Sequence, residues 1–114
     1  NESYDIPIAL GHIEVLPKET KLLANYPNPF NPETWIPYQL AKPAEVKITI
    51  YNAAGQRVRQ LDLGYQPAGV YLSKEKSAYW NGKNDLGEQV ASGVYFYTLR
   101  AGDEFVSRKM SLLK

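Results

Sequence analysis

Few residues in this sequence have the types or spacing that catalysis demands. The single histidine, His12, lies between prolines, and no serine stands in a nucleophile-turn context. Nucleophilic catalysis needs a base that is itself held by a third group, so His12 reads as an exposed or partly packed side chain. The oxygen-rich run Asn81, Asn84, Asp85 and Glu88 invites a calcium reading, because hard cations take several oxygen ligands. It lacks the regular carboxylate spacing of a calcium loop and carries Lys83 in its middle, so the expectation is a tight turn without metal. Cysteine is absent, which removes disulfides and thiolate metal sites. No nucleophile, acid/base pair or cofactor motif can be named, and neither an enzyme nor a cofactor is expected.

Two further groups suit binding. Nine tyrosines and two tryptophans offer faces that stack on sugars, but a small β core consumes most of them. Trp35 is the exception, because it alternates out of register with Ile36 and Tyr38. An off-face aromatic marks a contact with carbohydrate or a neighbouring domain, and Asn81, Asn84 and Asp85 are the remaining candidates for that surface. The second group is the last stretch of chain. Arg108, Lys109 and Lys114 place positive charge there, among Met110, Leu112 and Leu113.

The bulk numbers suit one domain. A chain of 114 residues with 44% hydrophobic and 22% charged content has the make-up of an ordinary globular unit. A net charge of +1 argues against a nucleic-acid partner, which calls for a concentrated basic surface. No apolar run reaches the length of a membrane span. The sequence opens at Asn1 without a basic-then-apolar leader, and the expectation is a piece cut from a longer polypeptide, or its processed end.

The elements that position these residues read as strands. In residues 1–24, Ile6, Ile8 and Leu10 alternate with polar or small residues. Pro7 and Pro17 each remove a ladder donor, so this stretch is either a linker or an extra edge strand. Asn25 to Pro32 (NYPNPFNP) is a stiff irregular lead-in whose Tyr26 and Phe30 plug into the body, in preference to a proline-rich ligand. Thr34 to Leu40 places Ile36, Tyr38 and Leu40 on one face. Glu45 to Tyr51 is the cleanest alternation, with Val46, Ile48 and Ile50 inward. A turn at Asn52 to Gly55 precedes a strand from Arg57 to Leu63, whose apolar parity changes between Val58 and Leu61, the mark of a bulge or bend. Gly64 to Gly69 reads as a loop, and Lys74-Glu75-Lys76 interrupts the stretch that ends at Trp80. Trp80 to Arg100 reads as the central hairpin, with Trp80, Tyr95, Phe96, Tyr97 and Leu99 filling the core. Glu104 to Leu113 closes the domain, with Val106, Arg108, Met110 and Leu112 on one face. Six or seven short strands with Gly, Pro and Asx turns predict an all-β antiparallel sandwich over residues 25–114.

In order along the chain stand Asn25-Tyr26-Pro27-Asn28-Pro29-Phe30-Asn31-Pro32, Ile36-Pro37-Tyr38-Gln39-Leu40 and Val46-Lys47-Ile48-Thr49-Ile50-Tyr51-Asn52. Gly55-Gln56-Arg57-Val58, Trp80-Asn81-Gly82, Gly87, Val90 to Tyr97 and Arg108 to Lys114 follow. This ordered set, from about Leu22 onward, resembles the C-terminal sorting domains of bacterial type IX secretion cargo. It also resembles the related immunoglobulin-like domain of the flagellar hook-capping protein. The resemblance implies a seven-stranded immunoglobulin-like sandwich on a secreted or cell-surface protein. Its implied partners are outer-membrane secretion and sortase machinery and an upstream cargo domain. Arg108, Lys109, Met110, Leu112, Leu113 and Lys114 are then the candidates for the export signal. Deletion of Ser111 to Lys114 is expected to abolish export while leaving most of the fold intact. An unpaired edge strand also leaves room for a homodimer.

Overall fold

The computed structural model describes residues 16–114. The stretch around Ile6, Ile8 and Leu10, read as a linker or an extra edge strand, and His12 itself lie outside the described residues. Nine antiparallel strands and no helix occur within them, so the all-β expectation holds. They are β1 (Lys21–Leu22), β2 (Thr34–Ile36), β3 (Tyr38–Leu40), β4 (Ala44–Asn52), β5 (Arg57–Gln66), β6 (Gly69–Tyr71), β7 (Ala78–Trp80), β8 (Gly93–Ala101) and β9 (Glu104–Leu112).

One layer is the four-stranded sheet β5-β4-β8-β9. The facing layer divides into β1-β3-β6 and β2-β7. The break falls at Pro37, which parts β2 from β3 and has no N–H to give a ladder. Alternation decides which side chains meet between the layers. Ile36, Tyr38, Leu40 and Trp80 come from one side, and Val46, Ile48, Ile50, Tyr97, Leu99, Met110 and Leu112 from the other; all are buried.

The parity change in β5 has a structural cause. Tyr51 pairs with Arg57 and Ile50 with Arg59, leaving Val58 as an extra residue. A second extra residue is Leu63, between Asp62 opposite Lys47 and Gly64 opposite Val46. Gly64 sits at φ +77°, so it serves this bulge where the sequence suggested the start of a loop, and the strand runs on to Gln66.

Trp80 to Arg100 is not a hairpin. β7 pairs with β2, Trp80 opposite Thr34, while β8 pairs with β4 and β9. The connection therefore crosses from one layer to the other. Phe96 also departs from expectation. Alternation with Tyr95 and Tyr97 turns it outward, and it is 41% exposed.

Candidate functional site

The lead-in from Asn25 to Pro32 sets Phe30 into the core and ties the end of β9 to it. Phe30 is 1% exposed and packs on Trp80 with ring centroids 5.4 Å apart. Its N–H donates to the Ser111 carbonyl, and its own carbonyl accepts the Leu113 N–H, both at 3.0 Å. Asn28 Oδ1 accepts the Ser111 N–H at 3.0 Å. The Tyr97 hydroxyl donates to the Leu23 carbonyl at 2.9 Å and accepts the Asn25 N–H at 3.0 Å. Burial pushes this phenol above its ordinary range, opposed by the Asn25 N–H and by Arg108. Asn25, itself buried, donates from Nδ2 to Thr34 Oγ1 at 3.0 Å. The proline run is thus a strap over the end of β9, with Phe30 as its plug.

This strap separates the six terminal candidates. Met110 and Leu112 are 1% and 2% exposed and belong to the core. Lys109, Leu113 and Lys114 face solvent, with Leu113 tied only through its backbone N–H. The Lys114 N–H donates to Ser92 Oγ at 3.0 Å. Arg108 is exposed on the inner side of the edge, where its Nη1 donates to the Leu22 carbonyl at 3.4 Å. Of these six, what is offered to a partner is therefore a basic rim with one apolar side chain, Leu113.

The alternative candidates do not share partners: the hydrogen bonds and ring contacts of Trp35 go to Tyr26, Tyr79 and Lys74, and those of Asn81, Asn84 and Asp85 go elsewhere. Asn81 Oδ1 accepts Arg59 Nη1 at 3.1 Å and the Lys83 N–H at 3.0 Å. Asn84 Oδ1 accepts the Leu86 and Glu88 amides, each at 2.9 Å. Asp85 accepts the Gln60 N–H at 3.1 Å and Arg57 Nε at 3.1 Å, with Arg59 Nε 3.9 Å away. Its N–H donates to the Val58 carbonyl. The Gln60 amide is the main cause that holds its carboxyl below the ordinary value; desolvation opposes this, and Arg57 and Arg59 add to it. These oxygens are committed to the protein's own donors. The loop's visible role is to lie along the outer edge of β5 and occupy its backbone groups. On another side the same loop approaches the lead-in closely at Gly82, where an added Cβ would clash with the Pro32 carbonyl oxygen.

Trp35 lies in an aromatic row that single-residue reasoning missed. Tyr26 bridges Trp35 from the strap, and Tyr79 pairs with it from β7. Ring centroids are 6.4 Å apart for Tyr26–Trp35 and 5.4 Å for Trp35–Tyr79. Lys74 Nζ sits over the indole, 4.2 Å from its centroid. Cross-strand register was the missing signal, because Tyr26 and Tyr79 are distant in sequence. A cleft of about 700 Å³ opens elsewhere, between the end of β5 and β6, lined by Tyr38, Leu63, Gln66 and Tyr71 among others.

The FlgD Ig-like domain model matches residues 32–104. Among solved structures, the chain is similar to PorZ, an essential bacterial surface component of the type-IX secretion system of Porphyromonas gingivalis. That match has a TM-score of 0.56 at 18% identity and covers 80% of this chain and 11% of PorZ. Dimeric latent PorU from the same organism aligns with a TM-score of 0.60 at 16% identity, over 81% of this chain and 9% of PorU. FlgD from P. aeruginosa aligns with a TM-score of 0.51 at 23% identity, over 65% of this chain and 56% of FlgD. The chain spans about a tenth of the length of PorZ and PorU, and at these identities the likeness is one of fold. No curated protein matches the chain significantly.

Proposed function

This chain belongs to the FlgD Ig-like domain family, and from that premise we propose that it is a non-catalytic sorting or attachment module of an exported bacterial protein. Its partners on this reading are outer-membrane secretion machinery and an upstream cargo domain, and its destination is the cell surface or the medium. The observation that carries the reading is the division of the terminal strand. Met110 and Leu112 lock it into the core, while Lys109, Leu113 and Lys114 stand outside in solvent. A folded label read by other machinery needs such a fixed frame with a projecting end. The fold likeness to PorZ and PorU supports the secretion setting.

The truncation that tests this must stop after Leu112. Removing Ser111 to Lys114 would also strip Leu112 from the core, at a cost of about 2–5 kcal/mol by analogy with large-to-small core changes. Loss of export would then be ambiguous. Removing only Leu113 and Lys114 deletes two hydrogen bonds, the Leu113 N–H to the Phe30 carbonyl and the exposed Lys114 N–H to Ser92 Oγ, together about 1–2 kcal/mol and with no loss from the core. In a host with a type IX system, a reporter carrying this shorter tail should remain in the periplasm while the domain melts nearly normally. Normal export of that fusion would remove the projecting end from the reading.

The row Tyr26–Trp35–Tyr79 favours a second reading, an accessory module that holds carbohydrate or a neighbouring domain. It requires Lys74 to swing off the indole. Glycan titration followed by tryptophan emission, repeated with Lys74→Ala, tests it: no emission change in either protein would end it.

A further inference from the structure

The two edges of the four-stranded sheet are treated differently. On β5, Asp85 occupies the Val58 carbonyl and the Gln60 amide, and two bulges break the ladder. Such devices keep an edge from pairing. On β9, Ser111 turns both its N–H and its carbonyl away from β8, to Asn28 and Phe30 of the strap. Alternation along a strand in regular register with β8 turns the same groups of Phe105, Ser107 and Lys109 outward as well. Among the described residues, nothing pairs with them. This leaves an unbulged, solvent-facing edge from the Gly102-Asp103 turn to Lys109, where the strap begins.

The charges along that edge are polar in direction. Asp103 and Glu104 open it and Arg108 and Lys109 close it; the salt bridges found among the described residues involve none of these four. A segment acidic at one end and basic at the other is complementary to itself when run antiparallel. We propose that β9 pairs with the β9 of a second copy about a two-fold axis at Val106, joining the two sheets into one of eight strands. This register sets Glu104 opposite Arg108 of the second copy, Asp103 opposite its Lys109, Phe105 opposite its Ser107, and Val106 opposite Val106. The outward N–H and carbonyl groups of Phe105 and Ser107 then bond reciprocally. Moving the axis to Ser107 sets Glu104 against Met110 and Arg108 against Val106, and drives the pair toward the strap. The axis at Val106 fills the open edge from end to end and faces unlike charges. The pairing concerns the chain's own assembly and stands apart from the proposed sorting role.

One short strand pair falls below the area of a stable interface, so the dimer is weak and reversible. Sedimentation equilibrium of the whole chain, from about 10 µM to about 1 mM, should show the mass rising toward twice the monomer's, as weak association requires. Directly opposed residues that do not exchange hydrogen bonds, as Val106 would be with its mate, have Cα atoms about 4.5 Å apart, within disulfide reach. The chain has no cysteine, so Val106→Cys should give a disulfide-linked dimer under mild oxidation. Ser107→Cys, staggered by two residues and on the other face, should not. Ser107→Pro removes an outward N–H that bonds to nothing among the described residues, and should weaken association at least about tenfold while the melting curve holds. Glu104→Lys, which sets like charges opposite, should weaken it too. A single monomer mass throughout, equal crosslinking at both cysteine positions, or undiminished association of Ser107→Pro would each overturn the proposal.

Discussion

Replacing Tyr97 with phenylalanine tests whether the strap is held where the structure holds it. The ring would remain in the core, where Tyr97 is fully buried, so the change isolates one hydroxyl. That hydroxyl serves two backbone groups, the Leu23 carbonyl at 2.9 Å and the Asn25 N–H at 3.0 Å. Each hydrogen bond contributes about 1 kcal/mol net, and a donor left buried without a partner costs up to about 3 kcal/mol. Asn25 is 4% exposed, so its orphaned N–H falls toward the costly end. The sum is a loss of about 2–4 kcal/mol, or a fall in Tm of roughly 8–16 °C for a domain of this size. Tyr95→Phe is the reference. Its hydroxyl donates to Ala91 alone, at 2.6 Å, and about 1 kcal/mol should be lost. Urea unfolding of both variants gives the comparison, and hydrogen exchange at the Leu113 amide reports whether loosening reaches the strap's contact with β9. If Tyr97→Phe lies within about 0.5 kcal/mol of the wild type, or matches Tyr95→Phe, the hydroxyl does not anchor the lead-in.

Gly82→Ala should destabilise by more than about 1 kcal/mol, since it combines φ +79° with a Cβ 2.4 Å from the Pro32 oxygen. Gly55→Ala, at φ +84° in open space, should cost less, and thermal melts of the pair check the order. Burial raises the Tyr38 and Tyr97 phenols above the ordinary value of 10.0. A folded pKa above the unfolded one means that this stability is intact below 10.0 and is lost as pH rises toward the folded values. Tm should therefore hold across neutral pH and fall in alkali beyond that point. Asp85 has the opposite sign. Its folded pKa lies below the ordinary 3.8, so its contribution is present above that value and lost as pH falls through it. Asp85→Ala should speed exchange at the Gln60 amide and leave the global midpoint nearly unchanged, because the carboxylate is solvent-exposed.

Legibility in the sequence follows the range of the interactions. Val46, Ile48 and Ile50 were readable because a strand buried on one face obeys a strict two-residue period. The Val58 bulge was readable for the same reason, as a fault in that period. Gly64 was not, since glycine serves a bulge and a loop equally well. The Trp80 to Arg100 hairpin failed because its turn residues are the same whether the next strand pairs beside it or crosses to the other sheet. Only the pairing of Trp80 with Thr34 distinguishes the two. Among the site residues, alternation alone assigns Met110 and Leu112 to the core, yet they also fell within the terminal run that the family resemblance marks as a signal. The role of Asp85 as a cover for β5, and of Phe30 as a bridge to Ser111 and Leu113, depends on contacts between distant segments. Local sequence carries no trace of those.

The most direct measurement of the central claim is transfer of export to an unrelated passenger. A monomeric reporter with a periplasmic leader, followed by this chain at its C-terminus, is expressed in matched bacterial hosts with and without the type IX translocon. A sorting role requires reporter at the surface or in the medium only when the translocon is present. Retention in both hosts, or release in both, would contradict it.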